Sequence, residues 1–171
     1  MRLSRGFLAG LVAGSFMLIA QLEAPAAAAV VAGGGTYFVA PGMRSEFQFN
    51  KTHVQCKVGH GVMPDGTVFQ MFMFSTSVDS VAIDTAAQSA VLKGTMVSEV
   101  NLRFTDGTSV TLTETVPFVA YAKDNGTPGA GADFFSLTVL YKDTAGFDQF
   151  DLFGSPATFA GTVVTGNITI K

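Results

Sequence analysis

Both histidines and the only cysteine of the chain fall in one short stretch, His53, Cys56 and His60, and imidazole and thiolate are the ligands that zinc and copper favour. The spacing argues against a site. Successive side chains of a strand point to opposite faces, so His53 is turned away from Cys56, and only Cys56 and His60 could converge, provided the strand runs unbroken through Gly59. Two ligands fall short of the four that a closed structural site needs. Cys56 has no partner for an intramolecular disulfide; it is expected to be a buried, inert thiol, with an intermolecular bond as the alternative.

A second group carries oxygen. Asp124, Asn125 and Asp133 lie in one glycine-rich loop, and carboxylate and amide oxygens are what calcium binds. Turn chemistry explains the same residues without a metal, because Asn125-Gly126 supplies the positive φ angles of a tight reversal. Their spacing also departs from the twelve-residue calcium loop with its closing carboxylate. Asp148 and Asp151 sit among Phe147, Phe150 and Phe153 in a polar/apolar alternation that a solvated strand face explains. There is no Gly-x-Ser-x-Gly elbow, and the two histidines share one glycine-flanked stretch, so a Ser-His-carboxylate set has no visible frame. No catalytic, cofactor-binding or metal-binding residue is assigned, no cofactor is expected, and the chain is expected not to be an enzyme. A carbohydrate platform finds little support: there is no tryptophan, tyrosine occurs only at Tyr37, Tyr121 and Tyr141, and the sixteen phenylalanines lack the polar edge that suits a half-wet surface.

The elements that position these residues are strands. Beyond residue 35 no stretch has apolar residues at helical spacing, while Val, Thr and Phe are abundant and Gly, Asp and Asn recur at short intervals. Runs bounded by turn signals lie near 35–40, 45–50, 52–58, 67–75, 77–84, 89–93, 97–105, 109–122, 134–142, 147–153, 157–163 and 166–171, some of which merge. Short strands at this spacing predict an all-β fold, an antiparallel β-sandwich, with a closed or partly open β-barrel as the alternative. Phe135, Leu137, Val139 and Tyr141 share one face, and so do Ile168 and Ile170. Around Asp106-Gly107 a three-residue loop, Asp106 to Thr108, pairs Phe104 with Val110 and Leu102 with Leu112, which keeps both apolar sets on one side. The stretch Val68 to Phe74 is apolar on both faces except at Gln70, and so predicts a strand covered on both sides, with loops packed over its outer face and a ligand or partner there as the alternative.

The start of the chain has its own character. Arg2 and Arg5 precede an almost unbroken apolar run from Gly6 to Ala20, and a small-residue exit follows at Ala24 to Ala29. That is the layout of a secretory signal peptide, assigned to residues 1–29 with cleavage after Ala26 or Ala29. Gln21, Glu23 and Pro25 end the run short of a membrane span, so no stable membrane anchor is expected after cleavage, and the protein is expected to be secreted, extracellular or periplasmic. Residues 30–171 then form a single all-β domain, long enough to bury its own core. Without Arg2, Arg5 and Glu23 it carries eight cations and twelve carboxylates, a net charge of −4 spread without blocks, which argues against nucleic acid as a partner.

One motif is distinctive. Asp124-Asn125-Gly126-Thr127-Pro128-Gly129-Ala130-Gly131-Ala132-Asp133-Phe134, an alternating strand, and a close on Gly161 and Gly166-Asn167-Ile168-Thr169-Ile170 resemble the end of the post-COAP family of bacterial secreted domains. Gly33-Gly34-Gly35, Phe47-Gln48-Phe49, and the stretch from Thr52-His53-Val54-Gln55-Cys56-Lys57 to Ser77-Val78-Asp79-Ser80-Val81 extend the likeness over nearly the whole domain. The chain departs from the family in placing Ala132 between Gly131 and Asp133, and in the additional residues Asp143 to Asp151. The resemblance implies an exported β module with no established catalytic role, serving a structural or binding purpose toward a protein or polymer partner. The rival expectation, motivated by the Met- and Phe-rich stretch Phe69 to Phe74, is a small-molecule carrier or barrel enzyme acting on an apolar ligand.

Overall fold

The computed structural model describes residues 28–126, 128–142 and 154–171. Eight strands follow in chain order: β1 (Val31–Ala40), β2 (Met43–Asn50), β3 (His53–Val62), β4 (Val68–Asp84), β5 (Ser89–Arg103), β6 (Ser109–Lys123), β7 (Phe134–Val139) and β8 (Ala157–Ile170). Each pairs antiparallel with the next, and β8 returns to β1 through Ile170 opposite Val31 to Val163 opposite Tyr37. The domain is all-β, and its architecture is a closed up-and-down barrel; the sandwich expectation is corrected to its alternative.

The reason lies in residues that mimic strand ends. The runs 67–75 and 77–84 form one strand, β4; 89–93 joins 97–105 in β5, and 157–163 joins 166–171 in β8. The polar interruptions in β4 and at the β1–β8 seam are bulges, where the register shifts between Ser75 and Ser77, between Val78 and Ser80, and between Thr36 and Tyr37. A bulge bends its strand and tightens the right-handed twist. Long strands coiled in this way curl until the first meets the last, and no strand has to cross between two sheets. The expected strand 147–153, with Asp148 and Asp151, lies outside the described residues.

The β5–β6 hairpin also differs from expectation. Leu102 faces Val110 and Val100 faces Leu112, two residues away from the predicted register but on the same face. Phe104 N–H donates to Thr108 O at 2.9 Å, which makes the loop Thr105-Asp106-Gly107. Gly107 has φ +89°, and a three-residue loop of this kind takes its left-handed residue last, so the glycine rather than the aspartate sets the register.

Inward-facing side chains fill the barrel. Phe47 and Phe135 stack at 4.4 Å between centroids, Phe49 lies over Phe135 at 5.6 Å, and Tyr37 meets Phe47 edge-on at 5.8 Å. Met71, Met73, Leu92, Met96 and Leu102 fill the space further round, and Phe135, Leu137, Val139, Tyr141, Ile168 and Ile170 are buried as their alternation predicts. Arg44, Glu46, Gln48 and Lys57 face outward and are exposed. Apolar inside and polar outside is the reverse of a barrel that faces lipid. In the stretch Val68 to Phe74, Phe69, Met71 and Met73 point inward, whereas Phe72 and Phe74 stand half-buried on the outer wall, 5.5 Å apart. The expected cover of loops over that face is therefore incomplete.

Candidate functional site

The loop between β6 and β7 gathers Asp124, Asn125 and Asp133, as the sequence suggested, and uses them on the protein itself. β7 pairs with β8 only as far as Phe134 opposite Thr162, which leaves one edge of β8 beyond Thr162 without a strand. The loop takes the strand's place. Asp133 accepts the N–H of Ile168 at 2.7 Å and of Asn125 at 2.9 Å, and Asp124 accepts the N–H of Ile170 at 3.2 Å and of Gly126 at 3.0 Å. Val163 N–H donates to Asp133 O at 2.8 Å, and Gly129 N–H to the Asn167 side chain at 2.9 Å. A Cβ on Gly129 would run into the Asp133 carboxylate, so the glycine is what lets the loop close on it. All four carboxylate oxygens already accept backbone N–H groups. The arrangement is a cap on a strand edge, and it accounts for these residues without calcium.

The three candidate soft ligands do not assemble. Cys56 points into the core, His53 lies on the opposite face, and His60, past an extra residue between Val58 and Gly61, is exposed on the outer wall. Among the described residues no three His, Cys, Asp or Glu side chains converge as metal ligands. Cys56 is fully buried, as expected, and sits 3.2 Å from Ser45 Oγ and 3.5 Å from the Tyr37 hydroxyl. Tyr37 donates to Phe159 O at 3.4 Å and Ser45 to Lys57 O at 3.1 Å. Burial pushes the Cys56 thiol up, against the smaller opposing effect of its two hydroxyl neighbours, and burial followed by the charge of Cys56 raises Tyr37. A thiol held neutral in this way is a poor nucleophile.

The feature that the sequence reading missed is Glu114. It lies on β6 directly opposite Ser98 of β5 and only 4 % of its surface is exposed. One carboxyl oxygen accepts Lys142 N–H at 2.8 Å, and the other, Oε2, is buried with no hydrogen-bond partner among the described residues. Tyr141 lies in the same region: its hydroxyl is 2.9 Å from Ser98 Oγ and 3.7 Å from Met71 Sδ. Burial, assisted by the neighbouring Glu114 and Cys56 charges, pushes Tyr141 up to about 12, against the hydrogen bond from Ser98. A signal was present in the sequence: Glu114 occupies the parity of Leu112, Val116 and Phe118, where an inward-facing apolar residue belongs.

Grooves of about 560 Å³, beside Gln48, Asn50, Asn167 and Thr169, and of about 300 Å³, beside His60, Gln70, Asn101 and Arg103, open on the outer wall. Compared with known proteins, the chain matches no family model, no curated protein and no solved structure.

Proposed function

We propose that this chain is an exported, non-catalytic β-barrel module of the post-COAP kind, a secreted scaffold that presents its outer wall and loops to a protein or polymer partner. The observation that carries the reading is the filled interior: Tyr37, Phe49, Met71, Met73, Leu92, Met96 and Phe135 are fully buried against one another where a carrier would hold its ligand. The Asp124–Asp133 motif supports it as well, since the residues most characteristic of the family resemblance serve here to secure the fold. Native mass spectrometry of the purified protein, before and after mild denaturation, tests the reading. A mass equal to that of one or two copies of the polypeptide is expected, and mass in excess of this that is lost on unfolding would overturn it.

One observation favours a second reading, in which the barrel holds or acts on a small ligand. The unpartnered Oε2 of Glu114 beside Tyr141 and Ser98 is a buried acceptor of the kind that ligand sites use. Excess mass in the experiment above that disappears in Glu114→Gln would establish it.

A further inference from the structure

Beyond Ser75 one edge of β4 has no strand paired with it among the described residues. β3 pairs with β4 only from Val62 opposite Val68 to Gln55 opposite Phe74, and Val54 N–H ends the ladder on the Ser75 hydroxyl at 2.9 Å. β4 continues to Asp84, paired on its other side with β5 throughout. Among the described residues no backbone hydrogen bond reaches Ser77–Asp84 from the β3 side. The inward-facing side chains record the gap: Val78, Val81 and Ile83 are only partly buried, whereas Leu92 and Ala90, opposite Val81 and Ile83 on β5, are fully buried. Unpaired backbone along a strand that also bares apolar side chains is a template for another strand.

We propose that this edge pairs with the same edge of a second copy of the chain, antiparallel about a two-fold axis at Ala82. Register arithmetic selects the occupant. With Ala82 on the axis, Val81 of each copy faces Ile83 of the other on the inner side, and Ser80 faces Asp84 on the outer side. An axis at Val81 sets Ile83 against Asp79, and an axis at Ile83 sets Val81 against Thr85. Only the Ala82 register matches apolar to apolar at both inner pairs, and in it no two carboxylates face each other directly. The bulges at Thr76 and Asp79 lie near the barrel wall, so Ser80 to Asp84 is left as a straight segment able to pair. Five residues a side make a small contact, below the usual size of a permanent interface, so the dimer forms reversibly and rises with concentration. The pairing holds whether or not the barrel carries a ligand.

Cysteine cross-linking of the full chain tests it. Directly opposed residues of an antiparallel pair have Cα atoms about 4.5–5.5 Å apart, within disulfide range. Ala82→Cys is therefore expected to yield a disulfide-linked dimer under mild oxidation. Ser80→Cys, about 13 Å from its symmetry mate along the strand, is expected to yield none. Both positions are exposed, and the native Cys56 is fully buried and does not compete. Ala82→Lys, which sets two ammonium groups together on the axis, is expected to abolish the concentration-dependent dimer seen by sedimentation. A protein that stays monomeric at every concentration, or cysteine variants that cross-link equally or not at all, would overturn the proposal.

Discussion

Two strands of this barrel outrun their neighbours at the end where Val30 pairs with Lys171, and the protein treats them differently. β8 continues past the start of β7, and Asp124 and Asp133 accept the N–H groups of Ile170 and Ile168 that a further strand would have taken. β4 continues past the start of β3, and its edge from Ser77 to Asp84 receives no backbone hydrogen bond from any described residue. The capped edge carries fully buried isoleucines, while the bare edge leaves Val78, Val81 and Ile83 partly exposed. A missing strand therefore does not dictate an open edge, because two carboxylates in the right loop close one. The edge left open is where an interaction surface is to be sought.

Hydrogen exchange at low protein concentration sharpens the contrast most. The amides of Ile168 and Ile170 are expected to exchange only through global unfolding, which for a domain of this size means protection of about 5 kcal/mol or more. Alternate amides of Ser77–Asp84, those turned away from β5, are expected to exchange nearly as fast as an unfolded chain. Equal protection of the two edges at every concentration would erase the distinction.

Asp133→Asn breaks the capped edge. The substitution keeps shape and removes charge, and it turns one of the two oxygens into a donor aimed at a backbone N–H. Asp133 is fully buried and holds both Asn125 and Ile168, so the loss is that of charge-assisted hydrogen bonds at about 1.5–3 kcal/mol each. A drop of about 3–5 kcal/mol in urea-unfolding stability is expected, with little change in the exchange of the β4 edge.

Tyr141 gives a pH test in the opposite half of the barrel. Its pKa rises from the ordinary 10.0 to about 12 on folding, so the folded state holds this proton more tightly than the unfolded chain does. The resulting stability is complete below pH 10 and is lost as the pH climbs from about 10 to about 12, a total of about 2–3 kcal/mol. Tyr141→Phe is expected to flatten that part of the stability profile, at the cost at neutral pH of about 1 kcal/mol for the hydrogen bond to Ser98.

Reading the sequence by alternation recovers the faces of the barrel but not its closure. Phe135, Leu137, Val139 and Tyr141, and Ile168 with Ile170, point inward as their parity predicts, because burial of one face acts locally on each strand. Closure depends on β1 meeting β8 and on bulges at Thr76 and Val164, which lie between runs that look like separate strands in the sequence. The β5–β6 register slipped by two residues because the three-residue loop sits one residue earlier than expected, with Gly107 in its left-handed last place. The part of Asp124 and Asp133 in capping β8 was hidden in the same way: their partners on that strand, Ile170 and Ile168, lie 46 and 35 residues downstream, and no local pattern announces such a bond. Glu114 was legible, as a carboxylate at an apolar parity.

Glu114 completes the comparison as a carboxyl only half used, and Glu114→Gln is the smallest change worth measuring. The amide keeps the acceptor for Lys142 N–H and replaces the unpartnered oxygen by an equally unpartnered NH2, which costs less to bury than a carboxylate. If Oε2 meets nothing in solution, the variant is expected to lie within about 1 kcal/mol of the parent in urea unfolding, on the stable side if anything. The same chemical substitution then has opposite outcomes at Asp133 and Glu114, because one carboxylate satisfies two backbone donors and the other satisfies one. A loss of several kcal/mol at Glu114 would instead mean that a bound ion, water or ligand occupies the free oxygen, and the scaffold reading would yield to the ligand-holding one.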